Sequence, residues 1–272
     1  MVKNLAHIKA FYLRKPQEAF ELLHEFMIKT RLSDKEEAEL KIELADIYMF
    51  MGDIWEASLL YSQVEKDFKQ GQLGEIAKFK NAKVSFYTGD FDWAKAQLDV
   101  LKASTSKLIA NDAMKLSITI TDNIGIDTTK APLLLYAQAD LLSYQHQYDE
   151  ALKVLDSLKN TYPIHVIVDD VLFKQHEIYF NKKEVLKAIE QLEEITKSFS
   201  QDLLADDAYY QLAQIYDYEL GDKARAKELY KKIIFDYQNS IYVIEARKRF
   251  RELDNGIKVI NIDEEKLEFE TN

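Results

Sequence analysis

The side chains of this chain that could do chemistry are five histidines and a large set of carboxylates, and its 272 residues include no cysteine. The absence of cysteine removes disulfide scaffolds, thiolate zinc sites and cysteine nucleophiles together. Only Glu21 and His24 have a metal-like spacing, a Glu-x-x-His that puts both groups on one helical face. A di-iron bundle needs a second such motif and two further Glu from neighbouring helices, and the chain has no second copy. His176-Glu177 lacks the following His of the metalloprotease helix, and His165 with Asp169 and Asp170 lacks a third ligand type at any recognisable spacing. There is no Gly-rich phosphate loop, nucleophile elbow or Ser/His/Asp arrangement. The pairs Asp169-Asp170 and Asp206-Asp207 precede apolar-periodic segments and suit first helical turns, where a carboxylate complements the dipole. This content predicts a non-catalytic protein with no cofactor and no metal, its histidines structural.

The elements that position these residues follow from composition and period. Lys and Arg number 36 against 47 Asp and Glu, a formal charge of −11, with 47% apolar and 31% charged residues. The chain is too apolar to be disordered, and its acidity argues against a nucleic-acid surface, which needs Lys and Arg to neutralise phosphate. The basic stretch 223–232 reads as a solvated helix face. No run approaches the roughly 18 apolar residues of a spanning helix, so no membrane insertion is expected. Val2 to Arg14 mixes charged and apolar residues unlike a signal peptide. Seven Gly and three Pro are few, as in a helical protein.

Apolar residues recur at three- and four-residue intervals, the period of amphipathic helices, and the pattern itself repeats. From Ala45, steps of twelve, four and three residues reach Ala57, Tyr61 and Val64. The same steps lead from Ala82 to Ala94, Leu98 and Leu101, from Ala139 to Ala151, Leu155 and Leu158, and from His176 to Ala188, Leu192 and Ile195. From Ala213 one residue is added on the way to Ala226, Tyr230 and Ile233, and a weaker copy runs from His7 to Ala19, Leu23 and Phe26. The six starts are separated by 38, 37, 57, 37 and 37 residues. Each unit predicts two helices around a break, with Gly52, Gly89 and Gly221 as left-handed helix ends and Asp53 and Asp90 as N-caps of the second helix. Pro16 and Pro132 suit first turns, and Pro163 ends a helix. The Ala positions let paired helices cross closely. His7 and His176 take that slot in two units and are expected to pack between helices with hydrogen-bond partners. The one long junction predicts an unpaired helix at about 107–123 and a loop at 124–130. An odd helix changes the side on which the next pair stacks.

This spacing resembles the tetratricopeptide repeat over roughly residues 1–253. The resemblance is carried by the small residues Ala45, Ala82, Ala139 and Ala213, the tyrosines three further on (Tyr48, Tyr179, Tyr216), Gly52 and Gly89, the second-helix alanines Ala57, Ala94, Ala151, Ala188 and Ala226, and Pro163. The unit exceeds the usual length, and Ser85 and Leu142 stand where the tyrosine is expected. Segments 104–123 and 240–253 resemble the C-terminal half of a group of Bacteroidetes tetratricopeptide-repeat proteins whose longer members carry a signal peptide. The resemblance implies an envelope location if the chain is a fragment of an exported protein, and the cytoplasm if Met1 is the native start.

What the resemblance implies for architecture is an all-α, right-handed α-solenoid: three hairpins over 1–105, an inserted helix and loop over 106–130, three hairpins and a capping helix over 131–253, and an acidic tail over 254–272. On the capping helix, expected at 240–253, Arg247, Lys248, Arg249 and Arg251 would solvate the open end. The charge density of the tail predicts frayed residues. In such arrays the first helices line a concave face. Carried onto this chain, the groove positions are Phe11 and Tyr12; Ile42, Asp46, Met49 and Phe50; Phe79, Lys83, Phe86 and Tyr87; Tyr136, Asp140, Ser143 and Tyr144; Phe173, Glu177 and Phe180; and Tyr210, Gln214, Asp217 and Tyr218. The groove is aromatic with an acidic bias and lacks the Lys, Asn and Arg pattern that clamps acidic chaperone tails. Like charges would repel an acidic tail, so the expected partner is a basic or apolar-aromatic protein segment. The expected role is an adaptor or assembly scaffold, with a structural part in a bacterial envelope assembly complex as the alternative. The oligomeric state stays open.

Overall fold

The computed structural model describes residues 1–104, 106–124 and 129–255. Its elements are all helical: α1 Val2–His7, running into a π turn at Ile8–Tyr12, α2 Pro16–Lys29, α3 Asp34–Met51, α4 Ile54–Asp67, α5 Gln72–Tyr87, α6 Phe91–Leu101, α7 Lys107–Ile124, α8 Ala131–Tyr144, α9 Tyr148–Thr161, α10 Val168–Asn181, α11 Val185–Ser198, α12 Ala205–Gln214 with a second π turn at Ile215–Glu219, α13 Lys223–Asp236 and α14 Val243–Asn255. No strand occurs among the described residues, and the fold is an all-α array of helical hairpins. The unpaired helix expected at 107–123 is α7, and the capping helix is α14. Most of the expected loop 124–130 and of the tail 254–272 lies outside the described residues.

Each hairpin turns on one residue with positive φ. Gly52 (95°), Gly89 (80°) and Gly221 (70°) do this in three hairpins, and Arg14 (55°), His146 (58°) and Lys183 (63°) do it in the others. In four of them the backbone closes identically: the left-handed residue donates to the carbonyl three back, and the next residue donates to the carbonyl five back, as in Gly52 to Met49 with Asp53 to Tyr48, and Lys183 to Phe180 with Glu184 to Tyr179. The hairpin geometry thus comes from backbone hydrogen bonds, and glycine only removes the Cβ strain of the left-handed region. Asp90 caps α6 by accepting from the Trp93 amide (3.3 Å), whereas the Asp53 side chain makes no cap bond to α4.

The repeating alanines sit where helices cross. Ala45, Ala57, Ala82, Ala94, Ala139, Ala151, Ala188, Ala213 and Ala226 are all fully buried, so a larger side chain there must push backbones apart. His176 is buried as expected, its Nδ1 3.2 Å from the Ala188 carbonyl oxygen. His7 differs. Its side chain stays 48% exposed beside Glu43, and the close crossing of the first hairpin is made by the fully buried Ala6 and Ala10.

The chain forms two compact units, Met1–Val168 and the described residues from Asp169. The expected organisation divides at 106–130 instead, and the difference is the hairpin α8–α9, which belongs to the first unit because α8 packs on α5 and α7. In that unit α7 stacks beside α6 as the next helix of the array would. With no partner for α7, the following hairpin runs back along the first helices of the earlier ones. In the second unit, α11 to α14 stack in sequence around a core that includes Leu192, Ile195, Leu212, Tyr230 and Ile233, and α10 meets α11 where His176 bonds the Ala188 carbonyl. The π turn at Ile215–Glu219 is closed by the Leu220 amide donating to the Ile215 carbonyl (3.0 Å). It absorbs the residue added between Ala213 and Ala226.

Candidate functional site

The inner face of the first unit is formed by the first helices of its hairpins, the π turn after α1 together with α3 and α5, and α8 lies across all three. The Tyr144 hydroxyl donates to the Asp46 carbonyl (3.3 Å) and Gln145 Nε2 donates to the Met49 carbonyl (3.0 Å). The Tyr87 hydroxyl donates to Asp140 Oδ2 (3.0 Å). Phe11 meets Tyr144 edge-on at 6.4 Å, and Phe50 meets His146 edge-on at 5.2 Å. Lys83 Nζ stands 5.5 Å from the Tyr87 ring and 5.8 Å from the Tyr144 ring.

The expected groove residues Asp46, Phe50, Lys83, Tyr87, Asp140 and Tyr144 therefore lie on one face, and each makes contacts within the protein. Asp46 accepts from the Tyr61 hydroxyl (2.6 Å) and from Lys80 Nζ (2.7 and 2.9 Å). Burial and the Asp46 charge push the Tyr61 and Tyr144 hydroxyls well above the usual phenol range, so both are donors at any working pH. Glu43, at the edge of the same face, is raised by burial, against the opposing hydrogen bond from His7. Phe86 is fully buried against Phe91 and belongs to the core. Phe79 and Tyr136 are half-buried.

In the second unit the expected residues lie on α10, α12 and the π turn. Phe173 is buried 5.7 Å from the His176 ring, and Phe180, half-buried, lies 6.1 Å from the same imidazole. Burial lowers the His176 pKa, keeping the ring neutral among these aromatics. Glu177 pairs with Lys174 (2.5 Å). Tyr210 stacks in parallel on Tyr242 at 4.1 Å, and the Tyr242 hydroxyl donates to Asp207 (2.8 Å). The wider π turn carries Asp217 into the interior. It is 0% exposed and accepts from Arg249 Nε (2.6 Å) and Nη2 (3.0 Å), from Lys223 Nζ (2.7 Å) and from the Tyr230 hydroxyl (3.3 Å). Burial alone would raise its carboxyl, but the Arg249 and Lys223 hydrogen bonds outweigh that and hold it below the usual range. Arg249 is thus an ion-pair partner tying α14 to the hairpin, while Arg247, Lys248 and Arg251 remain exposed. Tyr218 is 59% exposed, with the guanidinium of Arg249 5.1 Å from its ring.

Sequence reasoning missed an outer groove of the first unit, about 740 Å³, between α4 and α6 over α5. Its rim carries Trp55, 71% exposed, and Trp93, 59% exposed, the two tryptophans of the chain. The available signal was their position, two residues before Ala57 and one before Ala94 at the start of second helices. A similar groove of about 680 Å³ lies between α11 and α13 over α12, with Leu212 and Leu229 among its lining residues.

Among the described residues no group of three His, Asp or Glu is arranged to hold a metal ion, and His24 stacks on Phe20 at 5.6 Å. No described helix is long and apolar enough to cross a membrane. The titratable groups placed above are engaged in holding helices together.

Residues 207–240, the hairpin of α12 and α13 with its π turn, match the tetratricopeptide repeat family. The chain carries a tetratricopeptide repeat, and such repeats generally mediate protein–protein interaction. Among solved structures it is similar to a tetratricopeptide repeat protein from Parabacteroides merdae, at 15% identity and a TM-score of 0.37, over 93% of this chain and 83% of that one. No curated protein matches the chain.

Proposed function

We propose that this protein is a non-catalytic scaffold that holds a protein partner through apolar and aromatic contacts. The observation that carries this reading is the state of three of the expected groove carboxylates. Asp46 is held by Lys80 and Tyr61, Glu177 by Lys174, and Asp217 by Arg249 and Lys223. A basic segment would have to displace these intramolecular partners, whereas large aromatic side chains such as Trp55, Trp93, Tyr218 and Phe235 keep most of their surface in solvent. Exposed aromatics on rigid elements are the usual anchors of an interface. Carboxylates already paired add little attraction for a further cation.

The alternative of a basic ligand held by an acidic groove makes a different prediction. Probing the full chain against immobilised basic, acidic and aromatic-rich peptides should show retention of the aromatic-rich set, little changed by salt. Preference for the basic set, lost at high ionic strength, would overturn this reading.

A further inference from the structure

We propose that the groove between α4 and α6 receives an extended, proline-rich segment of the partner, with Trp55 and Trp93 as its anchoring walls. This deepens, and rests on, the scaffold reading above. The chemistry of the groove changes along its length. At one end stand the two indoles, at the starts of α4 and α6. Along the middle runs a neutral floor: Ser58 Oγ donates to Asn81 Oδ1 (2.7 Å), Asn81 Nδ2 donates to Ser62 Oγ (3.1 Å), and Gln97 Nε2 donates to Ser85 Oγ (3.2 Å). Lys66 and Lys69 line the other end beside Glu65, which pairs with Lys78 (3.4 Å), and Asp90 lies at the indole end, where it accepts from the Trp93 amide.

Three features select the occupant. From Trp55 to Lys66 the groove follows α4 for about 17 Å at 1.5 Å per residue, which matches five or six residues of polyproline II at about 3.1 Å each. Gln97 is buried, 7% exposed, and closes the floor; the half-buried Asn81 commits one of its two carboxamide hydrogens to Ser62. The other can meet a ligand carbonyl, and proline presents carbonyls while lacking the N–H that would need an acceptor. Aromatic-lined grooves take this preformed helix at low entropic cost. A neutral oligosaccharide, uniform along its length, would match the indole end and the floor but not the lysine end.

Because both tryptophans of the chain line this groove, intrinsic fluorescence of the full-length protein reads it alone. The protein is titrated with a capped oligoproline carrying a C-terminal acidic pair, a capped Gly/Ser peptide of equal length and maltohexaose. The proposal expects a saturable blue shift with the proline peptide only. Trp55→Ala and Trp93→Ala should each weaken binding by about tenfold or more, and Trp55→Phe should recover part of it. Circular dichroism melts should be unchanged, since both side chains are exposed. No shift with oligoproline, an equal shift with the Gly/Ser peptide or the sugar, or unaltered affinity in both alanine variants would overturn the assignment. If oligoproline fails while aromatic-rich peptides are still retained, this groove is misassigned and the scaffold reading stands; if neither binds, that reading fails too.

Discussion

The ion-pair centre of the second unit offers the sharpest test of how the fold is held. Asp217→Asn keeps the shape of the side chain and removes its charge. In the native protein the fully buried carboxylate takes a two-pronged bond from Arg249, at 2.6 and 3.0 Å, and a third cationic bond from Lys223 at 2.7 Å. Hydrogen bonds to charged groups contribute about 1.5–3 kcal/mol each. The Lys223 side chain is 51% exposed, so solvent screening discounts its bond to at most about 1 kcal/mol. Breaking a buried pair by removing one partner costs about 3–5 kcal/mol, but Arg249 retains its bond to Glu252 (2.7 Å) and some contact with water. The expected loss is therefore near the lower end, about 3 kcal/mol. For a unit of this size that is roughly 10–20 °C in melting temperature if it melts as one body. The cycle with Arg249→Met isolates the pair, and its coupling should be about 2 kcal/mol, measured by urea unfolding. The pH dependence has a fixed sign. Because folding lowers the Asp217 pKa, its contribution is fully present above the unfolded value of about 4 and is lost as pH falls through the lower folded value. The gap between wild type and Asp217→Asn should thus close in acid. Additive effects of the two substitutions within about 0.5 kcal/mol, or a gap that is flat down to pH 2, would refute the reasoning.

Three further expectations follow from the packing. Lys183 carries a left-handed backbone at the turn of its hairpin, so Lys183→Gly should stabilise by about 0.5–1 kcal/mol in chemical denaturation; a loss would contradict the strain argument. Ala82 is fully buried at a helix crossing, so Ala82→Leu should cost about 1–3 kcal/mol through overpacking, while Gln138→Leu, at an exposed position of α8, should be nearly neutral in the same assay. Burial depresses the His176 pKa, so the stability contributed by the neutral ring is full above the unfolded value of about 6.5 and falls as pH drops below it. His176→Leu should flatten the stability profile between pH 7 and 5, and an unchanged profile would sink that assignment.

The hairpins were legible because their determinant is local: an alanine at each close crossing, repeated at a constant interval, can be read from spacing alone. The irregular spacing from Ala213 to Ala226 was visible as one added residue, but not its form as a π turn, and hence not the inward swing of Asp217. His7 misled because the neighbouring Ala6 and Ala10 do the work in that hairpin. The turns at Arg14, His146 and Lys183 carried no glycine to mark them, since backbone bonds hold those conformations at a modest cost. The fold-back of α8 depends on contacts between residues nearly a hundred positions apart, such as Tyr144 with Asp46 and Gln145 with Met49. Helical period does not encode such pairings. The inner-face residues could be named from the repeat resemblance, but their partners could not, and the exposure of Trp55 and Trp93 became visible only once α4 and α6 were placed beside α5.

The central claim is that α8 lies along the inner face of the first unit, leaving a partner the exposed aromatic surfaces. Nuclear Overhauser contacts between the rings of Phe50 and His146, whose centroids are 5.2 Å apart, test it directly in solution. The account predicts a clear cross-peak in the free protein that persists in Trp55→Ala. Absence of that contact, with α8 amides exchanging as fast as those of an undocked helix, would contradict it.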